Sequence, residues 1–193
     1  QIDGAIHFNE VFLDEVRVPA AATLGPVGRG WGVAMTMLTN ERASIGGGAM
    51  YSFDQLSQLA RECGRDTDPV IRQRLADLYT RDRILAFLGY RVRTDAAAGR
   101  MPGPESSVMK LAVSQRYETG GNLMLEIEGP SGALVGDDAP YGGRFQDMFM
   151  GQWAPRIGGG TDEVQRNIIG ERVLGLPGDI RADKLVPFRD LPK

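Results

Sequence analysis

Apolar side chains recur at intervals of three and four residues along most of the chain, and this spacing predicts helices. The first predicted helix is long and runs from Trp31 to about Cys63; its apolar positions are Val33, Met37, Leu38, Ile45, Leu56 and Leu59. Gly46-Gly47-Gly48 weakens the middle of this helix, because a helical glycine costs about 1 kcal/mol relative to alanine. Glycines at such a position indicate close approach by another helix or by a ligand.

Two more long helices follow. The second is predicted from about Pro69 to about Ala98, with Pro69 in its first turn and Gly99 ending it. The third is predicted from about Glu105 to Glu128, interrupted at Gly120-Gly121. The apolar positions of the two helices are Val70, Leu75, Leu78, Ile84, Leu85 and Leu88, and Val108, Leu111, Ala112, Leu123 and Ile127.

The remaining helical patterns are shorter. One lies around Arg144 to Gln152, and the last runs from Thr161 to about Leu174. Three long helices and a shorter fourth, joined by brief loops, predict an all-α fold, an antiparallel four-helix bundle.

The two ends of the chain have a different pattern. Residues 5–18 are rich in β-branched and aromatic side chains, so they predict one or two strands that Pro19 closes. Two strands do not form a stable sheet alone, so this segment must pack on the helices or against a further domain. We therefore divide the chain into a β segment with its connection (1–28), a helical bundle (29–177) and an extended or partly ordered tail (178–193).

Composition narrows the function classes. The 193 residues include 42% hydrophobic and 24% charged residues, as in an ordinary globular domain, and the net charge is −3. No Lys/Arg-rich run indicates a nucleic acid or an anionic membrane as partner, and no apolar run reaches the roughly 18 residues of a membrane span. These features predict a soluble, cytoplasmic protein. A single cysteine, Cys63, and a single histidine, His7, argue against disulfides, His-based triads and zinc sites, so no metal is expected.

A glycine loop, Gly158-Gly159-Gly160, stands directly before the last predicted helix. Thr161 is a favourable first capping residue, and two acidic residues follow it. A ligand can approach such a backbone closely. Its N–H groups favour an anionic group, such as a flavin pyrophosphate, or an oxygen that gains charge during a reaction.

The run from Arg156 to Pro177 resembles the C-terminal signature of acyl-coenzyme A dehydrogenases. Leu75-Ala76-Asp77-Leu78 is similar to the family's second-helix motif, and the segment from Phe8 to Trp31 looks like the end of its middle β-domain with the connection into the bundle. The resemblance covers nearly all of this chain but roughly half of a family member. With Gln1 in place of an initiator methionine, it favours a fragment of a longer protein, which we expect to bind FAD poorly and to be inactive when isolated.

The resemblance implies a flavin-dependent α,β-dehydrogenation of an acyl-CoA thioester. A carboxylate removes the α-proton, the β-hydride passes to FAD, and the thioester oxygen gains negative charge that needs hydrogen-bond donors. The family assigns one donor role to the backbone N–H at Gly159, with Gly158 and Gly160 beside the substrate. Many members carry the catalytic glutamate at this position, where the present chain has no side chain.

The resemblance assigns the base to Glu41 instead. In the isovaleryl and long-chain branches of the family, the catalytic glutamate lies at the matching site on the first bundle helix, and the loop position carries a small residue. Arg42 matches an arginine next to that site, with a positional role toward the substrate.

The family's flavin contacts transfer to two regions. The loop and helix start that reach FAD match Thr161, Glu163 and Gln165. The turn that holds a neighbouring subunit's adenosine diphosphate matches Glu126 and the segment from Gly129 to Gly132. Here Glu126 replaces a glutamine and Pro130 a glycine. The family's pyrophosphate-binding Arg-x-x-Phe-Gly motif is also missing, and Arg61 or Arg65 are the candidates to replace it.

These resemblances imply partners as well. Acyl-CoA would be the substrate, electron-transfer flavoprotein the electron acceptor, and a homo-oligomer, a dimer of dimers, the assembly. Two other functions stay open. One is a non-catalytic bundle subunit that completes a partner's flavin site in a hetero-oligomer, which the departures at Glu126 and around Arg61 favour. The other is a related flavin oxidase or monooxygenase on the same scaffold.

Overall fold

The computed structural model describes residues 1–45, 50–100, 103–180, 186 and 188–190. The described part is helical. Its α-helices are α1 Gly30–Ile45, α2 Phe53–Glu62, α3 Pro69–Ala97, α4 Ser106–Glu128, α5 Arg144–Gly151, α6 Ala154–Ile157 and α7 Asp162–Ile168. Single 3-10 turns occupy Ala20–Ala22, Gly129–Ala133, Gly136–Asp138, Pro140–Gly143 and Phe188–Asp190, and a π-helical turn over Ile169–Val173 continues α7. The predicted all-α bundle is confirmed, and α3, α4 and α5 end within one residue of their predicted limits.

Helix α4 lies at the centre of the bundle. It contacts α1, α2, α3, α5, α6 and α7, so every other helix packs against it. The buried core lies where α2, α3 and α4 meet and extends to α5; it consists of Tyr51, Leu56, Leu59, Ala60, Ile71, Leu78, Tyr117, Leu123, Met124, Ile127 and Phe145. Because α4 also contacts α6 and α7, it joins the core to the glycine loop between those two helices.

The first predicted helix is wrong as one element, because it consists of two. Helix α1 ends at Ile45, and α2 begins at Phe53 after an N-cap at Ser52. The Ser52 hydroxyl accepts a hydrogen bond from the Gln55 N–H (3.2 Å), and the Gln55 side-chain oxygen accepts one from the Ser52 N–H (2.8 Å). This reciprocal capping box starts a new helix. Gly46-Gly47-Gly48, where close approach was expected, lies outside the described residues.

The interruption predicted at Gly120-Gly121 is also wrong, because α4 continues through both glycines. The glycines instead admit neighbouring side chains. A Cβ at Gly120 would collide with the ring and hydroxyl of Tyr51, and one at Gly121 would lie 3.0 Å from the side-chain carbon of Gln152. The Tyr51 hydroxyl donates to the carbonyl oxygens of Arg116 and Tyr117 in the same turn (2.9 Å each). Close packing onto α4 therefore explains this glycine pair.

The N-terminal segment is extended but forms no strand among the described residues. Its apolar side chains are solvent-exposed; Phe8 is 83% and Phe12 is 85% accessible. The predicted strands are absent here because an extended segment needs a neighbouring strand to form a hydrogen-bonded ladder. In the described part of the chain, no helix combines the length and apolarity that crossing a bilayer requires.

Candidate functional site

The glycine loop turns sharply between α6 and α7. Gly159 (φ 67°) and Gly160 (φ 97°) both have left-handed backbone conformations, which glycine adopts without strain. The loop begins where the Gly158 N–H donates to the carbonyl of Ala154 (2.8 Å), and it ends where the Thr161 hydroxyl accepts from the N–H of Val164 (3.3 Å) and caps α7.

A buried glutamine holds the loop from below. The side-chain nitrogen of Gln165, on α7, donates to the carbonyl oxygens of Gly159 (2.9 Å) and Gly160 (3.2 Å). In a trans peptide the C=O and the following N–H point in opposite directions, so the N–H groups of Gly160 and Thr161 point away from Gln165. The loop therefore presents backbone donors on the side opposite its buried support.

A cluster of charged side chains flanks the same loop, and two of them, Lys110 and Asp162, are buried. The Asp162 carboxylate accepts a hydrogen bond from the Ser114 hydroxyl (2.5 Å) and another from the Arg156 Nε (3.2 Å), and the Lys110 Nζ lies 3.5 Å from its Oδ1. Arg156 also pairs with Glu118 at 2.9 Å. We call Lys110, Ser114, Glu118, Arg156 and Asp162 the loop network. It connects α4 to both ends of the glycine loop.

Burial and charge act in opposite directions on these groups. Burial by itself would raise the pKa of Asp162, but the Ser114 hydrogen bond and the charges of Lys110 and Arg156 lower that pKa below its ordinary value. Burial lowers the pKa of Lys110, and the attraction of Asp162 only partly offsets this effect. Asp162 therefore stays ionised at neutral pH.

Sequence reasoning missed most of this network. Lys110 and Ser114 are four residues apart, so they share one face of α4, but neither type of residue is expected in a buried position. Three of the four positions that lie three or four residues from Lys110 are serines, so this face gave no apolar signal of burial. Asp162, the partner of Lys110, lies 52 positions further along the chain, a pairing that no local pattern reveals.

Glu41, the predicted base, lies on the solvent-exposed surface of α1. The side chain of Arg42 is outside the described part of the structure. Helix α1 packs against α4, the helix that also contacts α6 and α7. The helix that carries Glu41 and the two helices that flank the glycine loop therefore share one neighbour.

The candidate flavin residues fall into two groups. Thr161 and Gln165 belong to the glycine loop and its support, whereas Glu163 is exposed on α7 and pairs with Arg166 (3.3 Å). Glu126 lies on α4 and forms an ion pair with Arg74 of α3 at 2.9 Å.

The second group lies at the turn that follows α4. Arg65 pairs with Asp68 (2.9 Å), and a Cβ at Gly129 would lie 3.8 Å from the Arg65 Nη1, so the guanidinium stands beside this turn. A Cβ at Gly132 would come within 3.1 Å of the Leu125 carbonyl, so the close packing here favours a glycine. A guanidinium next to a backbone turn with little side-chain cover fits an anionic diphosphate group. Arg61, the other candidate, is exposed in the last turn of α2.

The sequence also matches a known family. The sequence model for the C-terminal domain of acyl-CoA dehydrogenases matches residues 28–174, which include α1, the glycine loop and α7. The chain belongs to the acyl-CoA dehydrogenase family. This confirms the resemblance seen in the sequence. Members of the family generally bind FAD and act as oxidoreductases.

Individual family members agree with this assignment. The chain is 37% identical to the acyl-CoA dehydrogenase IpdE1 of Mycobacterium tuberculosis, over 94% of this chain and 47% of that protein. It is 33% identical to the acyl-CoA dehydrogenase FadE34 of the same organism, over 92% of this chain and 24% of that protein. The chain thus spans about half the length of IpdE1.

Solved structures show the same fold. A protein described as "Tcur3481-Tcur3483 steroid ACAD" superposes with a TM-score of 0.76 at 22% identity, over 87% of this chain and 45% of that one. The ChsE4-ChsE5 complex from Mycobacterium tuberculosis superposes with a TM-score of 0.68 at 24% identity, over 87% of this chain and 46% of the matched chain.

Proposed function

We propose that this chain forms the C-terminal helical part of an FAD-dependent acyl-CoA dehydrogenase that oxidises an acyl-CoA thioester to the 2-enoyl-CoA. One observation carries the proposal. Gln165 binds the carbonyl oxygens of Gly159 and Gly160, and the following N–H groups therefore point to the opposite side, where a thioester oxygen can be bound. The proposal keeps the division into 1–28, 29–177 and 178–193, with the first segment as the end of a β-domain.

Two kinds of group in this chain would act in the reaction. The N–H groups of Gly160 and Thr161, which point away from Gln165, and the Gly159 N–H, which the family resemblance assigns, would donate to the thioester oxygen and stabilise the negative charge that develops there; one such donor is worth about 3 kcal/mol. The charge on this oxygen makes the α-proton more acidic. The Glu41 carboxylate removes that proton, and Arg42 positions the acyl-CoA next to it. FAD, when bound, accepts the hydride from the β-carbon.

Two sets of residues would hold FAD. Thr161, Glu163 and Gln165 lie at the glycine loop and at the start of α7. Because the side-chain nitrogen of Gln165 already donates to the Gly159 carbonyl, Gln165 would contribute by fixing the shape of the loop. Glu126, Gly129, Gly132 and Arg65 would receive the adenosine diphosphate portion of a neighbouring subunit's flavin, with Arg65 opposite the diphosphate. This sharing makes the assembly an oligomer, in the simplest case a homotetramer built as a dimer of dimers. The enzyme would act in the cytoplasm and pass electrons to electron-transfer flavoprotein.

The test is Glu41→Gln in the complete protein. Loss of a general base should lower turnover by about 10²- to 10⁴-fold while flavin content stays unchanged. Asp77→Asn is the matched control, because Asp77 is a surface carboxylate on α3 that pairs only with Arg81. Turnover of Glu41→Gln at the level of the parent protein would refute the assignment of the base.

A second function is favoured by one finding. The ChsE4-ChsE5 structure, which has the same fold, is a complex of two differently named chains. In the present chain the Glu126 carboxylate already forms an ion pair with Arg74, which leaves it less available to a flavin. On this reading the chain is a bundle subunit that completes the flavin site of a different partner in a hetero-oligomer. Flavin content measured after production alone and together with candidate partner chains separates the two assemblies.

The substrate class needs its own measurement. One structural neighbour is described as a "steroid ACAD", so a bulky polycyclic acyl group is a candidate beside fatty acyl groups. Turnover with a steroid acyl-CoA and with straight-chain acyl-CoAs of graded length distinguishes the two classes.

A further inference from the structure

The loop network fixes the glycine loop at both ends. Arg156 stands two residues before Gly158, and Asp162 stands two residues after Gly160. Their side chains meet at 3.2 Å, so this ion pair closes the segment that contains the loop. Ser114 and Lys110 bind the same Asp162 carboxylate from α4.

From this arrangement we propose that Lys110 and Asp162 are positioning residues, which hold the loop amides in place for the thioester oxygen and balance the charge beneath them. The inference rests on the proposed function. Neither residue would touch the substrate; both would act through the loop backbone.

The burial of Lys110 and Asp162 indicates that their ion pair positions the glycine loop more than it stabilises the fold. The side chains of Lys110 and Asp162 are only 4% and 3% exposed. Removing two charges from water costs several kcal/mol per ion, and the mutual attraction regains this only with good geometry. The 3.5 Å distance between the Lys110 Nζ and the Asp162 Oδ1 is long for a charge-assisted hydrogen bond. Among the described residues, the Lys110 Nζ has no hydrogen-bond partner. An apolar pair of similar volume would be at least as stable, so the charges need another explanation.

Charge balance supplies that explanation. Lys110 and Arg156 carry two positive charges, and Asp162 and Glu118 carry two negative ones, so the network is neutral. Without Lys110, one uncompensated negative charge would lie beneath the loop. That charge would oppose the negative charge forming on a thioester oxygen bound at the loop, and water would screen it little because the Asp162 side chain is only 3% exposed.

The experiment compares Lys110→Met with the parent protein in its complete, flavin-loaded form. We expect kcat per bound flavin to fall about tenfold or more while KM changes little, because the interaction matters mainly in the transition state. Amide hydrogen exchange across residues 157–161, measured without substrate, should become faster. Arg81→Met, which removes an exposed ion pair of 2.8 Å on α3, is the matched control and should change neither quantity.

A second variant keeps the test decisive if Lys110→Met does not fold. The double variant Lys110→Met/Asp162→Asn leaves only the Arg156–Glu118 pair and is therefore neutral again, so it should fold and regain part of the flavin-normalised kcat, yet keep fast exchange in the loop. The proposal is overturned if these variants only lower the melting temperature, with kcat per bound flavin and loop exchange as in the parent. Failure of the proposed function would show separately, as an absence of acyl-CoA oxidation by the flavin-loaded parent protein.

Discussion

At the scale of single residues, the close contact between Tyr51 and Gly120 sets the position of the segment before α2 on α4. The Tyr51 ring stacks edge-on against Tyr117 (5.8 Å between centroids), and the Arg116 guanidinium lies 4.1 Å from its centre. Arg116 also pairs with Asp82 of α3 at 2.7 Å. Burial raises the pKa of Tyr51, so its hydroxyl remains a donor at neutral pH. One aromatic residue therefore joins three helices.

Gly120→Ala tests this contact. A methyl group would collide with Tyr51, and overpacking of this kind costs about 1–3 kcal/mol, more than the roughly 1 kcal/mol that alanine gains in a helix. Thermal unfolding should show a lower melting temperature. Gly89→Ala on α3 is the control, because its Cβ would meet only the Met109 methyl at 3.8 Å, so it should be neutral or stabilising. A stabilised Gly120→Ala protein would contradict the observed packing.

Glu128, at the end of α4, makes a pH-dependent prediction possible. Its Oε2 accepts from the Gln146 side-chain nitrogen (2.8 Å), while its Oε1 and the Gln146 side-chain oxygen are buried and without partners among the described residues. Burial raises the pKa of Glu128, and the Gln146 hydrogen bond only partly offsets this. The folded protein therefore binds a proton here more tightly than the unfolded chain does, and stability falls as pH rises through the folded pKa.

Glu128→Gln removes this penalty. The new amide can donate to the Gln146 oxygen and accept from its nitrogen, so both unpaired atoms gain partners. We expect stability to rise by about 1 kcal/mol at pH 7 and to be nearly unchanged near pH 4, where the parent carboxyl is largely protonated even when unfolded. Melting temperatures at the two pH values measure this. Glu126→Gln, at a half-buried carboxylate of the same helix that pairs with Arg74, should show no gain at pH 7. A larger gain for Glu128→Gln at pH 4 than at pH 7 would contradict the predicted pH dependence.

At the scale of elements, helix ends decide which parts of the fold were predictable. The limits of α3 followed from a proline after Asp68 and a glycine after Ala98, and the structure shows the Asp68 carboxylate accepting from the N–H groups of Val70 (2.8 Å) and Ile71 (3.3 Å). The break between α1 and α2 was missed although Ser52 and Gln55 have capping-box spacing, because the apolar periodicity continues across it. Helix ends next to a proline or a glycine could therefore be predicted from the sequence. The break between α1 and α2 could not be predicted from the apolar periodicity.

The same contrast applies to the site. The glycine loop was visible in the sequence because left-handed backbone needs glycine and the cap needs threonine. Its support was not. The resemblance predicts a flavin contact for Gln165, but nothing in the sequence predicts its hydrogen bonds to the loop carbonyls, and Lys110 reaches Asp162 only because α4 and α7 pack together. Such contacts form only when helices distant in the sequence pack together, so they could not be predicted from this sequence alone.

The α2 cap supplies the prediction for this scale. Ser52→Ala removes the side-chain acceptor of the Gln55 N–H and should destabilise the protein by about 1 kcal/mol. Ser52→Asp should keep most of the stability, since an aspartate accepts the same hydrogen bond. Ser57→Ala, inside the same helix, is the control and should be neutral or slightly stabilising. Urea unfolding of the four proteins gives the comparison, and equal losses at Ser52 and Ser57 would show that the cap has no special role.

At the scale of the whole molecule, the chain divides into a packed body and an exposed leading segment. Among the residues that the structure describes, the buried core begins at Tyr51. In contrast, the segment before α1 exposes a succession of apolar side chains, namely Ile2, Ile6, Phe8, Val11, Phe12, Leu13, Val16, Val18, Leu24 and Val27. Exposed apolar surface on this scale marks an interaction site. The chain spans about half the length of IpdE1, and we propose that this surface packs against the remaining part of a family member.

Deletion of residues 1–28 tests that division. The deleted segment adds no side chain to the buried core, so the melting temperature should stay within about 2–4 °C of the parent value, the shift that about 1 kcal/mol produces in a protein of this size. Binding of a hydrophobic dye should fall, because the largest run of exposed apolar side chains is gone. Deletion of residues 1–68 is the contrasting variant. It removes Leu56, Leu59 and Ala60 from the core, and at 2–5 kcal/mol for each large apolar side chain lost it should abolish cooperative unfolding. If deletion of residues 1–28 unfolds the protein, this segment contributes to the stability of the packed body despite its exposure. The assignment of this surface to another domain then fails.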